Sequence, residues 1–425
     1  MTAEIGDIGA LELARYIRPG DTLVWGQACA EPVTLTTALA AQRSRLGGIR
    51  SFTGICGSAA ARPDHADHLS FTSYTAAGAN RALAAAGVLS TLPAHYSQLP
   101  AVLSAGPLRA DVVLLSLPPP RTDGTFGPGL GADYIAPLVG SARVVIAEIN
   151  DQLPDVSSPV RFRRADIDVL VPVSCPPPEY PAPPPRDTED AISAHIAGLI
   201  PDGATIQLGI GSMPSAVARR LLGHRDLGVH SGMISDAVAE LIEAGVVTGA
   251  RKTVDRGEVV TGFVMGSQPL LTLAAASGGI SLRDTRYTHD PAVLAAQHQL
   301  VAINSAVEVD LTGQANAETA GGRWVGGVGG AVDFARGAAR SVGGLPVIAL
   351  PSTAVTPAGD TVSRIVGRLT GPVTLGRADA GVIVTEYGVA DLRGLTLPQR
   401  RERMLAIAHP DHRHALAADD QEEDP

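Results

Sequence analysis

At 425 residues the chain is longer than one hydrophobic core usually serves, so two domains are expected. Hydrophobic residues make up 45% and charged residues 18%, a globular balance that excludes a disordered chain. The net charge of −10, with no basic stripe to offset it, excludes a nucleic-acid binder, and the lack of any apolar run of about 18 residues excludes a membrane span.

Of the 33 basic residues only Lys252 is a lysine, a usage that points to a GC-rich genome and rules out a mechanism needing several lysines. Cys29, Cys56 and Cys175 are few, odd in number and far apart. Neither a zinc site nor a disulfide framework is expected, and a reducing cytoplasm fits. The opening segment, MTAEIGDIGALELARYIRPGD, has no basic start followed by an apolar run, so no signal peptide is expected.

In chain order, short runs of branched aliphatic residues predict strands over Asp21–Val24, Ala110–Leu115 and Ala142–Ile149. The stretch Ser174–Arg186 carries seven prolines in thirteen residues and reads as an extended linker. It separates an N-terminal domain, residues 1–173, from a C-terminal domain, residues 187–416, with an acidic solvated tail over 417–425. A helix opens at Asp187, puts Ile192, Ile196 and Leu199 on one face, and ends at Pro201-Asp202-Gly203. Strands are predicted over Thr205–Gly209, Gly257–Val264, Leu300–Asn304, Val347–Leu350 and Ala380–Thr385. Strands alternating with helical patterns give an α/β fold with mostly parallel sheets. IRPGDTLVWG near the start and IPDGATIQLGIG after the linker suggest two copies of one unit.

Three motifs carry candidate chemistry. The first, Gly209-Ile210-Gly211-Ser212, follows a strand and opens a helix read over AVARRLL; glycines there let the backbone approach an anion, although a plain tight turn explains the motif equally well. The second is Gly326-Gly327-Val328-Gly329-Gly330. It can present several N–H groups to one point, as an oxyanion pocket or a thioester cradle, or serve as a hinge loop. The third is Glu386, at the end of an apolar strand in VTEYG, where open α/β sheets place their ligand crevice; a capping or ion-pair role is the plain alternative.

Together these segments resemble the acetyl-CoA hydrolase/transferase family, which includes 4-hydroxybutyrate and acetate CoA-transferases. The matching stretches are IPDGATIQLGIGSMPSAV, LGVHSGMISDAVAELIEAGVVT, AINSAVEVDLTGQANAET, GGVGGAVDFARGAA, VTEYGVADLRG and IAHPDHR, nearly all of the second half. The first half matches more loosely, at Ala30-Glu31-Pro32 and Ala147-Glu148-Ile149-Asn150-Asp151.

The resemblance implies two similar CoA-transferase-like (NagB/RpiA-like) α/β domains with an interdomain active site. It implies coenzyme A or acyl-CoA as substrate, with carrier-protein phosphopantetheine as an alternative donor, and no metal. It also implies covalent catalysis by a glutamate carboxylate, which forms an acyl anhydride and then a glutamyl-CoA thioester. Gly209, Gly211, Gly327, Val328, Gly329, Gly330 and Gly388 are the implied CoA-binding positions.

The family nucleophile sits in a His-Ser-Glu-Met segment that aligns with His230-Ser231-Gly232-Met233, so Gly232 stands where relatives keep glutamate. The family glutamine after the loop is Ala331, and the serine-like position before it is Gly326. Flanking Asp236, Asp333 and Gly388 match.

Remaining catalytic candidates are Glu386, activating water or a substrate hydroxyl, and His230, as a base or as a buried histidine. Ser231 is a nucleophile only with a base in reach, and Glu31 and Glu308 read as structural acids. Three functions stay open. One is an acyl-thioester enzyme without the covalent glutamate, giving hydrolysis, acyl transfer or cyclising release, with secondary metabolism as a setting. The second is an ordinary CoA-transferase using another carboxylate, and the third is a non-catalytic acyl-CoA-binding protein. A cytoplasmic homodimer acting on a small-molecule thioester, or with an acyl carrier protein, is expected.

Overall fold

The computed structural model describes residues 2–57, 59–276 and 278–418. Most of the predicted acidic tail, Asp419–Pro425, lies outside them, while Ala417 and Ala418 close the last helix, Pro410–Ala418.

The chain forms two compact units. The first takes Met1–Pro181 together with Ser231–Asp236 and Glu258–Asp290; the second takes Ala182–His230, Ala237–Gly257 and Pro291–Pro425. Two segments that the sequence reading assigned to the C-terminal half thus pack with the first unit. The proline-rich stretch Ser174–Arg186 carries no regular structure.

In the first unit eight strands form one sheet. Their order is Ala3–Glu4, Val169–Val173, Val144–Asn150, Val112–Leu117, Thr22–Trp25, Ile49–Thr53, Leu69–Ser73 and Leu89–Thr91. Every neighbouring pair is parallel. Along Val112–Leu117 successive side chains enter different cores: Val113 and Leu115 join Val24, Phe52 and Tyr134, while Val112 and Leu114 join Leu23, Trp25, Leu35 and Leu39. A sheet covered on both faces needs apolar residues at every position, which explains the unbroken VVLL run. The segments that return to this unit add two short parallel pairs, Met233–Ile234 with Phe263–Val264 and Val259–Thr261 with Ile280–Leu282.

In the second unit six strands are ordered Gly228–Val229, Thr205–Leu208, Leu300–Ser305, Leu345–Ala349, Val382–Thr385 and Gly388–Asp391. The first five run parallel and the last pairs antiparallel with its neighbour. The helix Ala331–Arg340 crosses from Leu300–Ser305 back to Leu345–Ala349 and buries Phe334 and Ala338 against Leu294, Leu300 and Ala302. Among the described residues no helix is long and apolar enough to cross a membrane.

The predicted strands recur with small shifts at their ends. Gly257–Val264 divides at Gly262, because the Gly262 peptide is drawn into other bonds: its N–H donates to Gly232 O (3.1 Å) and its carbonyl accepts from Ala132 N (2.9 Å) and Asp133 N (3.1 Å). The helix read from Ala216 begins instead at Ser212, whose hydroxyl donates to Glu189 Oε1 at 2.7 Å. The helix from Asp187 ends at Ala197, so Leu199 falls beyond it, half-buried, and Ile200 takes the buried position. The paired openings of the two halves share a local geometry: Gly20 (φ +82°) and Gly203 (φ +80°) precede the strands Thr22–Trp25 and Thr205–Leu208.

The packing of Ala331–Arg340 is close enough to test. A Cβ at Gly337 would lie 2.5 Å from Leu294 Cβ. Gly337→Leu is expected to destabilise the protein by about 1–3 kcal/mol through overpacking, read as a lower urea midpoint, whereas Arg340→Ala at the exposed end should leave it within about 0.5 kcal/mol.

Candidate active site

Parallel strands end together, so the second unit gathers its loops at one edge of its sheet. Thr205–Leu208 runs into Gly209-Ile210-Gly211, Leu345–Ala349 into Ser352, Val382–Thr385 into Glu386, and Gly228–Val229 into His230. The glycine-rich loop Gly326–Gly330 reaches the same edge, because a crossover helix begins where the preceding strand ends. Its Val328 packs in one core with Ala306 and Leu350, which follow two of those strands.

Gly211 is the N-cap of the helix Ser212–Arg220, at φ +106° and ψ −167°, a conformation open to glycine alone. The turn turns the helix N–H groups toward the edge. In the second loop Gly329 has φ +53°, and a Cβ there would meet nothing within 4 Å. Gly326 has a packing reason instead: its Cβ would lie 2.2 Å from Ala317 O. The loop therefore divides into a packed start and an open end that leads into the helix at Ala331.

Glu386 is half-buried, in the tight turn between Val382–Thr385 and Gly388–Asp391. Both of its oxygens are held by one residue: Ser352 N donates to Oε2 at 2.8 Å and Ser352 Oγ donates to Oε1 at 2.6 Å. This clamp fixes the carboxylate's orientation and leaves lone pairs for a proton. Gly388, two residues on, has φ +134°. Tyr387 between them is exposed, with its ring 5.3 Å from His409 and the Arg413 guanidinium 5.8 Å above it.

His230 is fully buried; its N–H donates to Ile206 O at 3.2 Å and its Nδ1 faces Gln297 Nε2 at 3.3 Å. That setting fits a structural histidine better than a base in contact with substrate. The only lysine, Lys252, is also interior, donating from Nζ to Val229 O at 3.0 Å beside it.

Ser231 and Gly232 belong to the first unit, where Ser231 N donates to Val260 O at 3.0 Å. Here the structure brings up a group that the sequence did not reveal. Through the Gly262 peptide, Gly232 is linked to Asp133, a fully interior carboxylate. Asp133 Oδ2 accepts from Gln27 Nε2 (2.7 Å) and Tyr96 OH (3.4 Å), and Oδ1 accepts from Ile135 N (2.9 Å). Tyr74 OH donates to Gln27 Oε1 at 2.9 Å, extending the network. Burial pushes the Asp133 carboxyl up to about 6 against these bonds, which favour the charged form.

The other acids are structural. Glu31 is buried and accepts from Gly57 N at 3.0 Å. Glu308 accepts from Thr370 N (2.9 Å), Gly371 N (3.1 Å) and Asn316 Nδ2 (3.1 Å). Glu148 is pushed up to about 7, chiefly by burial, and accepts from Leu35 N at 3.1 Å. Ser352 and Arg364 are further site residues that the sequence did not single out; no period or motif marks them.

Comparisons with known proteins bear on this arrangement. The "Acetyl-CoA hydrolase/transferase N-terminal domain" matches residues 8–168 and the "Acetyl-CoA hydrolase/transferase C-terminal domain" matches residues 266–419. The first half, where the resemblance is looser, is thus covered as well. A 4-hydroxybutyrate coenzyme A transferase of Clostridium kluyveri is 36% identical over 93% of this chain and 92% of its own. Among solved structures, RipA from Yersinia pestis superposes with a TM-score of 0.91 at 33% identity, covering 99% of this chain and 97% of that one. A 4-hydroxybutyrate CoA-transferase from Porphyromonas gingivalis gives 0.82 at 33% identity, covering 99% and 98%.

The Asp133 network predicts a pH dependence. The folded carboxyl, at about 6, lies above its ordinary value of 3.8, so between those values the native state holds a proton that the unfolded chain has lost. Stability contributed by this group therefore falls as pH rises through that window, by at most about 1.4 kcal/mol per pH unit. Urea midpoints measured from pH 4 to pH 6 should show this slope, and Asp133→Ala should flatten it.

Proposed function

Because the chain belongs to the acetyl-CoA hydrolase/transferase family, we propose that it cleaves acyl-CoA thioesters without a covalent glutamyl intermediate. What supports the reading is the segment His230-Ser231-Gly232-Met233: it resembles the family's His-Ser-Glu-Met, which on this reading puts Gly232 at the nucleophile's position, while Glu386, clamped by Ser352, and the glycine loops remain. A glycine offers no carboxylate, so no anhydride forms there.

On this reading the nucleophile is water, or a hydroxyl or amine of the substrate, and it attacks the thioester carbonyl directly. Glu386 takes the nucleophile's proton as the new bond forms. Main-chain N–H groups of the loop ending at Gly330 face the tetrahedral oxyanion. The C–S bond then breaks and the thiolate leaves as coenzyme A, or as the pantetheine thiol of a carrier protein. The products are a free acid with water, an ester or amide with another acceptor, and a ring where the nucleophile belongs to the acyl chain. Gly209, Gly211, Gly327, Val328, Gly329, Gly330 and Gly388 hold the thioester donor, and His230 and Ser231 support the backbone around Gly232. Secondary metabolism and a cytoplasmic homodimer complete the proposal.

Free-thiol release measured over a panel of acyl-CoAs tests it. Wild type should turn over at least one thioester, and borohydride treatment during turnover should leave the protein mass unchanged. A trapped adduct on Glu386 or Glu31 would sink the reading and restore ordinary CoA transfer. Glu386→Gln should lower the rate by about 10²–10⁴-fold. Gly232→Glu should give an enzyme that traps a borohydride-stable adduct at residue 232, checked by peptide mass spectrometry; a folded variant with no adduct under any acyl-CoA would show that the pocket has diverged further.

A further inference from the structure

Arg364 lies at the same edge of the second unit's sheet and has no role in the reaction described above. It closes a short antiparallel hairpin, Thr353–Val355 with Thr361–Ser363, whose two ends are tied by Arg364 N donating to Ser352 O at 2.8 Å. Ser352 is the residue that clamps Glu386, so the hairpin holds the guanidinium and the clamp in fixed relation.

The guanidinium is half-buried and is tied to main-chain carbonyls: Nε donates to Val307 O at 2.6 Å and Nη2 to Ala306 O. Among the described residues it makes no ion pair with a carboxylate. Two of its five N–H donors are used, and the rest remain on one side of a planar fork. Burial pulls its pKa below the usual arginine range, with the field of Glu386 acting in the other direction and that of Arg186 reinforcing the fall. Glu386 does not neutralise it by contact: the bonds of the guanidinium go to the carbonyls of Val307 and Ala306. A desolvated cation without a contacting anion is costly, and an anionic ligand removes the cost through charge-assisted bonds.

We propose that Arg364 is the recognition residue for a carboxylate carried by the substrate. The nearby negative charge of Glu386 selects a monoanion over a dianion such as phosphate, because repulsion grows with ligand charge. Two sources supply that chemistry: a free carboxylic acid, as acceptor or product, and the distal carboxylate of a dicarboxylic acyl thioester. The inference rests on the proposal that thioesters are processed at this edge, but it concerns binding and is read without turnover.

The test is calorimetric titration of the full chain with butyrate, with its neutral isostere butyramide, and with succinyl-CoA and butyryl-CoA as a matched pair. A free-acid site binds butyrate at least about tenfold tighter than butyramide, and Arg364→Gln abolishes the difference while Arg364→Lys keeps part of it. A distal-carboxylate site instead binds succinyl-CoA at least about tenfold tighter than butyryl-CoA, again levelled by Arg364→Gln. Wild type with no preference in either pair overturns the inference, as does a folded Arg364→Gln protein that keeps the preference. The acid–amide comparison needs only wild type, so it stands if the variants do not fold. Loss of thiol release with the preference intact counts against the proposed reaction alone.

Discussion

Parallel strand pairing is the constraint on which the candidate site depends. In the second unit five neighbouring strands run the same way, so Leu208, Val229, Ser305, Ala349 and Thr385 all end at one edge. Gly211, Ser352 and Glu386, spread over more than half of that unit's sequence, come to the same edge only because of this, and Ser352 and Glu386 come into contact there. Each crossover must return over a face of the sheet, which brings helix N-termini and their glycine turns to the edge where the strands finish. Register matters as much as direction. A one-residue slip of Val382–Thr385 against Leu345–Ala349 would exchange the faces of Ile383 and Val384, and would carry Glu386 about 3.3 Å away from Ser352.

Within that frame the polar groups differ in how they are satisfied. Glu386 is satisfied by one residue, whose backbone N–H and hydroxyl hold both of its oxygens at a half-open turn. Asp133 has three donors and still rises to about 6, because burial penalises the charged form more than these bonds favour it. Arg364 is given carbonyl oxygens and no anion. Burial alone thus does not mark a functional group. The distinction lies in whether the partners complete it, as they do for Glu308, or leave donors unused, as they do for Arg364.

Much of the scaffold was legible in the sequence because it depends on local signals. Branched aliphatic runs marked the central strands, and the glycines at 209, 211 and 326–330 marked the turns at their ends. Glu386 was readable for the same reason, as an acid closing an apolar strand. The missed residues depend on contacts that leave no period: Gln27 reaches Asp133 across 106 positions, and Ser352 reaches Glu386 across 34. The return of Ser231–Asp236 and Glu258–Asp290 to the first unit was unreadable too. Those segments have ordinary strand and helix patterns, and only tertiary bonds such as Val264 N to Leu130 O assign them. His230, whose residue type suggests chemistry, lies buried against Gln297, the alternative that the sequence left open.

If Gly232 stands at the position of the family nucleophile, as proposed, another carboxylate could take that role. Asp133 is the acid linked most directly to Gly232, through the Gly262 peptide, and its bonding argues against that role. Its oxygens are directed at Gln27, Tyr96 and Ile135 N, and its burial favours the neutral carboxyl, a poor nucleophile. Glu31 is held on Gly57 N. Glu386 is poised and half-open, but a residue clamped at both oxygens is better suited to take a proton than to form and break an acyl bond, since each acylation would cost it a bond to Ser352. On the proposed reading these carboxyls divide the work by environment: Asp133 is held within a core network, and Glu386 is placed at the sheet edge to receive a proton. On that proposal, with no covalent step, the thioester's free energy would not be stored on the protein, and the reaction would run toward hydrolysis or an irreversible acyl transfer instead of reversible CoA exchange.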